Sequence, residues 1–225
     1  MSRAPDEGAA VRVQNLWKSF GGHEVLKDVN LEVKPGQVVV VFGRSGSGKS
    51  TFLHLAAGLD DPSAGEVRAF GRPLNRMTER ELARYRATAV ALVFQRDNLW
   101  GALTARENVV VSLKLARVGN AERRADAALA TFGLDRRAPS RSSVLSGGEQ
   151  QRVAIAAAAA RDAQLVLADE PTGELDAENE RIVLDALATL RDLSGATIVT
   201  VTHSRRVAEA ADRVVTFVDG RALDQ

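Results

Sequence analysis

Residues Gly43–Thr51 read GRSGSGKST and match the pattern G-x-x-x-x-G-K-[ST] in full. Closely spaced glycines let successive backbone N–H groups turn toward one point, and a helix starting there adds partial positive charge. The segment is a cradle for phosphate oxygens. Gly43, Ser45, Gly46, Ser47, Gly48 and Thr51 shape it, Lys49 neutralises charge on β- and γ-phosphates, and Ser50 can ligate Mg2+. The implied ligand is a nucleoside triphosphate. A second cluster, Leu165–Glu170 (LVLADE), is an apolar run ending in two acids. If a strand pleat continues through it, Asp169 and Glu170 project in opposite directions and can hold separate jobs. Asp169 would reach the Mg2+ shell, and Glu170 would orient or deprotonate a water for in-line attack on the γ-phosphate. Alone, such a run is also an ordinary strand end meeting solvent; after a phosphate cradle, the chemical reading is preferred.

Other residues carry less by themselves. Gln95, after the apolar run Val90–Phe94, could sense Mg2+ and the attacking water, and His203 follows the buried run Thr197–Thr202. A glutamine or histidine at a strand end is usually an ordinary surface group. His23 in a turn and His54 on a helix are read as structural, and Trp17 and Trp100 as packing or interface residues. Leu145–Arg152 (LSGGEQQR) sets a serine-glycine-glycine turn before an alanine-rich helical stretch, with neither a nucleophile beside a base nor a metal-ligand cluster.

The elements that must position these groups are legible as periodicities. Val38–Phe42 is a buried β-branched run ending at a glycine, followed by a loop and a helix-compatible stretch, Lys49–Gly58, that Gly58 can cap. Gln164–Ala168 and Thr197–Thr202 are further runs ending in polar residues, so a parallel sheet with active groups at its C-terminal edge is expected. Val11–Phe20 and Val29–Val33 alternate as strands, with GGHE between them as a turn. Gln95–Val144 reads as mostly helical, with periodic segments Thr104–Leu115 and Ala121–Phe132 joined by RVGN.

Composition bounds the reading. At 225 residues with 45% hydrophobic content, the chain can fill one sizeable core and leaves room for an inserted subdomain. The formal net charge of +1 gives no bulk attraction to nucleic acid or anionic lipid. With no cysteine, disulfides and thiolate chemistry are excluded, in keeping with a reducing cytoplasm. No apolar stretch approaches the ~18–20 residues that span a bilayer, and MSRAPDEGAA lacks the apolar core of a signal peptide.

Taken in order, Gly43–Thr51, Gln95, Leu145–Arg152, Leu165–Glu170, Gly173–Asp176 (GELD) and His203 resemble the nucleotide-binding subunit of ATP-binding cassette (ABC) proteins, over almost the whole chain. The resemblance implies an α/β, P-loop NTPase fold of ABC type, with an N-terminal antiparallel β-subdomain and an inserted helical subdomain. One domain is expected over 1–225: a disordered lead-in at 1–10, core plus β-subdomain at 11–94 and 153–225, and a helical subdomain at 95–152. It implies ATP and Mg2+ as cofactors and a homodimer in the ATP-bound state. LSGGE would bind the ATP held by the P-loop of a second copy, so Ser146, Gly147, Gly148 and Glu149 are cofactor-binding candidates. At a helix start, the Ser146 hydroxyl and the neighbouring N–H groups suit a γ-phosphate. By the same resemblance Phe20 stacks on adenine beside Val25, Asp176 lies in the loop coupling the two sites, and His203 and Gln95 take γ-phosphate and Mg2+/water roles.

Phe94–Val109 (FQRDNLWGALTARENV) resembles the bacterial branch that serves lipoprotein-releasing, macrolide-exporting and FtsX-like membrane proteins. This implies a peripheral ATPase on the cytoplasmic face of the inner membrane, with a membrane permease as a separate chain, meeting it near Gln95–Asn108, and no nucleic acid. Ala157, Ala163 and Glu174 depart from the usual pattern, where arginine, proline and a small or amide residue are common; Arg44 should be tolerated, because its position contributes backbone. Two other readings are a soluble ABC ATPase acting on nucleic acid or ribosomes, and an ATP-binding clamp with little hydrolysis. The first class carries coiled coils, zinc cysteines or two cassettes, none of which is present; Glu170 and His203 argue against the second.

Overall fold

The computed structural model describes residues 9–224. Strands β1 (Val11–Phe20) and β2 (His23–Val33) form a hairpin around Gly21 and Gly22, both at positive φ, as a two-residue hairpin turn requires. The turn is therefore two residues long, and His23 opens β2 instead of lying in the turn. Strands β4 (Ala64–Ala69) and β5 (Arg72–Pro73) complete a four-stranded antiparallel sheet in the order β2-β1-β4-β5. Ala9 and Ala10 are buried; Ala10 N–H donates to Val33 and its carbonyl accepts from Phe70 N–H. The lead-in expected over residues 1–10 thus stops short of Ala9, and its first eight residues lie outside the described ones.

The second sheet has six strands. Its order is β10 (Arg221–Asp224), β9 (Arg213–Val218), β3 (Val38–Phe42), β8 (Thr197–Thr202), β7 (Leu165–Asp169), β6 (Val90–Val93). All neighbours are parallel except the β9–β10 hairpin, so the expected parallel sheet is a mixed one with an antiparallel edge. Its central strands β3, β8 and β7 are buried along most of their length because both faces are covered, and β8 carries the buried Thr197, Thr200 and Thr202 among its apolar residues. Leu165 and Leu167 face the core shared with the antiparallel sheet, and Val166 and Ala168 the core under the helices. That alternation aims the next residue, Asp169, at the side carrying α1 (Lys49–Ala56), whose Phe52, Leu53 and Leu55 fill the first core.

Helices α2 (Glu79–Thr88), α3 (Ala105–Leu115) and α5 (Gly147–Ala160) each begin with a capping box, formed by Thr78 with Glu81, Thr104 with Glu107, and Ser146 with Glu149. Each box satisfies two of the N–H groups that a helix start leaves unpaired. In the LSGGEQQR segment Ser146 is the cap, and Gly147 and Gly148 are the first helical residues, so the glycines open the helix instead of forming a turn ahead of it. Helices α3 and α4 (Ala121–Thr131) pack on α5, which packs in turn on α6 (Ala177–Ser194) through small buried side chains such as Ala156 and Ala158. The boundary drawn at 152/153 falls within α5. A short helix, α7 (Arg205–Glu209), follows β8.

Candidate nucleotide-binding site

The strand order decides what meets. Because β3, β8, β7 and β6 lie side by side and parallel, the loop after each opens on the same sheet edge: the phosphate cradle after β3, His203 after β8, Asp169 and Glu170 at the end of β7, and Gln95 after β6. They line one cleft of about 950 Å3 together with Val25 and residues of the Ser45–Thr51 loop. Gly43 and Ser47 sit behind it as its floor, where Gly43 N–H donates to Thr202.

Of the seven α-helices in the described residues, α1 alone starts with neither a side-chain cap nor a carboxylate in its first turn. Its N-cap is Gly48, left-handed at φ 97°. The N–H groups and the positive end of the helix dipole therefore remain available to an anion. Lys49 is buried, and its Nζ donates to the carbonyls of Gly43 and Arg44 at 2.9 and 3.1 Å, which holds the ammonium across the loop. The Ser47 hydroxyl is buried without a hydrogen-bond partner. A buried lysine with no carboxylate and an orphaned hydroxyl are what a site shaped for a phosphate chain leaves unsatisfied in its absence.

Ser50 Oγ donates to Asp169 Oδ1 at 3.1 Å, so α1 and β7 bring a hydroxyl and a carboxylate together at the cleft edge. Partial burial raises the proton affinity of Asp169, with the Ser50 hydrogen bond opposing that shift. Among the described residues no three His, Cys, Asp or Glu side chains converge to hold a metal. The hydroxyl, the carboxylate and the Gln95 amide are hard oxygen donors that fit Mg2+ only when phosphate oxygens complete its shell.

Glu170 diverges from Asp169, though not through the pleat: β7 ends at Asp169, and Glu170 is left-handed at φ 45°. Its Oε1 lies 2.8 Å from His203 Nδ1, and its Oε2 accepts from Thr202 Oγ1 at 2.8 Å and from His203 N–H at 3.4 Å. Both carboxylate oxygens are thus fixed from the end of β8, with His203 itself largely exposed to the cleft. Left-handed backbone in a glutamate is strained, and here it aims a polar group into the site. Thr202, which has no conspicuous sequence signature, is the residue that reading the sequence missed. Gln151 is another. It is buried, and its Nε2 donates to the carbonyls of Phe94 and Gln95 at 2.8 and 3.0 Å, tying the Gln95 loop to α5.

The remaining candidates lie apart from this cleft. Ser146, Gly147, Gly148 and Asp176 border a neighbouring depression of about 520 Å3, which shares Gln95 and Arg96 with the first. Ser146 Oγ accepts from Glu149 N–H at 3.3 Å, which leaves its own proton to donate. Glu149 does not border the depression; it accepts from Ser146 N–H and from Arg137 Nε at 2.7 Å. Desolvation opposes its ionisation, but these donors outweigh it and hold the carboxyl below its usual range. Asp176 caps α6, and the Asn179 N–H lowers its proton affinity. Phe20 is outside the lining and 52% exposed, with Lys18 Nζ 4.7 Å from its ring centroid.

A parallel sheet that gathers a phosphate cradle, an Mg2+-competent acid and a fixed glutamate at one edge defines a P-loop nucleoside triphosphatase. The family model described as "ABC transporter" matches residues 26–173, and the chain belongs to that family as an ATPase subunit. It is 41% identical over 212 residues to the lipoprotein-releasing system ATP-binding protein LolD of Bacteroides thetaiotaomicron, covering 93% of this chain and 97% of that protein. It is 42% identical over 220 residues to the macrolide export ATP-binding/permease protein MacB of Marinobacter nauticus, where 95% of this chain spans only 34% of the relative. Among solved structures, the ATP-binding cassette MJ0796, dimeric in a post-hydrolysis state bound to ADP and Pi, superposes with a TM-score of 0.86. It is 37% identical and matched over 94% of this chain and 96% of that one. The lipoprotein-releasing and macrolide-exporting branch expected from Phe94–Val109 is the one these relatives occupy.

Proposed function

We propose that Glu170 is the general base of ATP hydrolysis, oriented by Thr202 and His203, and that Lys49 and the backbone of the Gly43–Thr51 loop hold the β- and γ-phosphates. The observation that carries this is the two-sided fixation of Glu170 in the same cleft as the unsatisfied phosphate cradle. Ser50 and Asp169, with Gln95, would hold Mg2+, which neutralises charge developing on the phosphoryl oxygens. His203 meets the γ-phosphate, Val25 and Phe20 the adenine. Ser146, Gly147 and Gly148 of one copy serve the nucleotide of another, head to tail, with Asp176 in the loop between the two sites. Glu149 serves through the helix cap and not by contact.

The closing of that dimer would drive a membrane-embedded partner chain from the cytoplasmic face, in export or in the movement of an extracytoplasmic part. No helix among the described residues is long and apolar enough to cross a membrane. Within the Gln95–Asn108 segment, Asn108 is an interior staple: it bonds the backbone of Trp100 and Thr104 and the Ser142 hydroxyl. What it holds outward is Trp100, 55% exposed, at a groove with Leu92, Leu115 and Ala157. Arg80, Arg84 and Arg117 border the adjoining hollow. An apolar helix with acidic residues on the membrane partner would fit both. The small Ala157 leaves room there.

The experiment is to express tagged Glu170→Gln in the native host, add ATP, solubilise the membranes and identify what co-purifies. A stoichiometric multi-span protein with an extracytoplasmic domain is expected. Recovery of nucleic acid or ribosomes with an ATP-dependent dimer would refute the membrane reading.

A further inference from the structure

The loops after β6 and β7 are joined by a contact that the roles above do not use. Arg96 Nε donates to Glu174 Oε2 at 2.5 Å, and Arg96 Nη2 lies 2.5 Å from Glu174 Oε1, a two-point fork between a planar guanidinium and a carboxylate. Glu174 Oε1 also accepts from the Gln95 side-chain Nε2, at a longer 3.5 Å. The two loops approach so closely that a Cβ on Gly173 would stand 3.1 Å from Gln95 Nε2, tight enough that the amide would have to shift by a few tenths of an ångström. On its other side, the Gln95 backbone is held by the buried Gln151. The backbone of Gln95 is thus fastened to α5, while its side chain and its neighbour Arg96 are fastened to the loop that runs from Glu170 to Asp176.

We infer that Glu174, through its fork with Arg96 and its contact with Gln95, is a positioning residue that sets where the Gln95 amide stands in the nucleotide cleft. With its Nε2 drawn toward Glu174, the amide turns its oxygen away from that carboxylate, leaving the oxygen to face the cleft as a ligand. The two arms of the contact differ in kind. Gln151 is interior and its polar atoms are occupied, so that arm is permanent. Arg96 and Glu174 are exposed, and an exposed pair opens readily, so this arm can release when a second copy approaches the depression that Arg96, Glu174 and Asp176 border. The inference rests on the assignment of Gln95 to the nucleotide site.

The test uses the full chain with Glu174→Ser, Arg96→Ser, the double variant, and the exchanged pair Arg96→Glu/Glu174→Arg. In nucleotide-free protein, amide hydrogen exchange across residues 94–98 should quicken by about 3- to 10-fold in each single variant, with melting temperature within about 2 °C of the parent. With ATP, kcat should fall by about 3- to 10-fold and the Mg2+ concentration for half-maximal rate should rise by a similar factor, while the KM for ATP changes less than about twofold. The double variant should be no worse than Glu174→Ser, and the exchanged pair should recover exchange protection but neither kcat nor the Mg2+ dependence, because an arginine at 174 cannot accept from Gln95 Nε2. Parent-like exchange in the single variants, or single effects that simply multiply in the double variant, would overturn the inference. Gln95→Ala separates the two claims: parent-like Mg2+ dependence there would defeat the assignment of Gln95, whereas the nucleotide-free exchange measurement reports on the tether alone.

Discussion

Replacing Gly48 by alanine, with Gly46→Ala as its control, tests whether the phosphate cradle depends on a wall that no side chain can share. Both glycines line the cleft, and both have positive φ, 97° at Gly48 and 80° at Gly46. A Cβ at Gly46 meets nothing within 4 Å, while one at Gly48 stands 2.6 Å from Leu26 Cδ2 and 2.9 Å from the Val25 carbonyl oxygen. Leu26 is fully buried in β2, and the carbonyl belongs to a strand held by β1, so neither can simply move aside. Forcing a non-glycine residue into such a conformation costs about 1–3 kcal/mol. Overpacking a well-filled contact adds about 1–3 kcal/mol. Gly46→Ala should therefore lose about 1–3 kcal/mol and Gly48→Ala about 2–6 kcal/mol of folding stability, read from urea unfolding midpoints. The displacement in Gly48→Ala falls on the cap of α1 next to Lys49, so ATP affinity, measured by calorimetry, should drop by at least about tenfold. Equal midpoints and equal affinities in the two variants would show that the loop relaxes freely and that Leu26 does not constrain it.

Glu170→Gln should cut steady-state phosphate release by about 10²–10⁴-fold while ATP still binds, because an amide can keep the contacts to Thr202 and His203 but cannot accept a proton. Size-exclusion chromatography of that variant with ATP should show an accumulated dimer, and normal turnover would contradict the assignment of the base. Lys49→Ala should weaken ATP binding itself by about tenfold or more, since a buried ammonium aimed across the loop is lost; an unchanged Kd would count against the cradle. Gly148→Ala places a Cβ 2.8 Å from Asn179 Oδ1 and should abolish the ATP-driven dimer while a single chain still binds nucleotide; dimers in normal yield would refute the half-site role of α5. Glu149, whose folded proton affinity lies below the ordinary 4.5, lends stability that is complete above that value and is lost as pH falls through the depressed one. The urea midpoint deficit of Glu149→Gln should thus be largest at pH 7 and shrink toward about pH 4; a deficit independent of pH would mean that the cap does not depend on the charge.

The parts of this site that a sequence reveals are those made by neighbours along the chain. Gly43–Thr51 places cradle, lysine and hydroxyl within one turn of backbone, and the apolar runs before Asp169 and His203 mark β7 and β8 because strands covered on both faces need no polar alternation. What holds Glu170 is different in kind: Thr202 stands 32 residues away and looks like any buried threonine until the β7–β8 register sets it opposite. Gln151 reaches Phe94 across 57 residues, and Arg96 meets Glu174 across 78. Such pairings depend on strand order and helix packing, which no local periodicity encodes. The pleat argument for the two acids failed for a related reason, since the strand ends at Asp169 and the left-handed turn at Glu170 is set by what surrounds it. The β4, β5 and α2 segment carried no motif. Its α2 is a largely exposed helix that buries Leu82 and Tyr85 and opens on the Thr78–Glu81 capping box.

On the roles proposed above, one chain holds two incomplete anion sites, and their incompleteness is complementary. The start of α1 offers free N–H groups, a buried ammonium and an orphaned hydroxyl, but its cleft is open toward solvent, where water would compete for the γ-phosphate. The start of α5 offers the Ser146 proton and the N–H groups near two glycines, yet its own lysine-bearing loop is not among the residues that border it. A triphosphate bound at the first would leave its terminal oxygens exposed, and an anion at the second would meet Arg96 already forked to Glu174. Neither shortfall is met among the described residues, because both starts are fixed by packed cores: α1 by Phe52 and Leu53, α5 by Ile155 and Ala156. On the proposed reading, a second copy placed head to tail would supply each with what it lacks and exclude water from both at once. Closure would then depend on the γ-phosphate, and its hydrolysis would remove the group that holds the two faces together. That dependence would make the proposed chemical step at Glu170 a mechanical one at the groove beside Trp100, since Gln151 and Asn108 tie the Gln95 loop, α3 and α5 into a single packed unit.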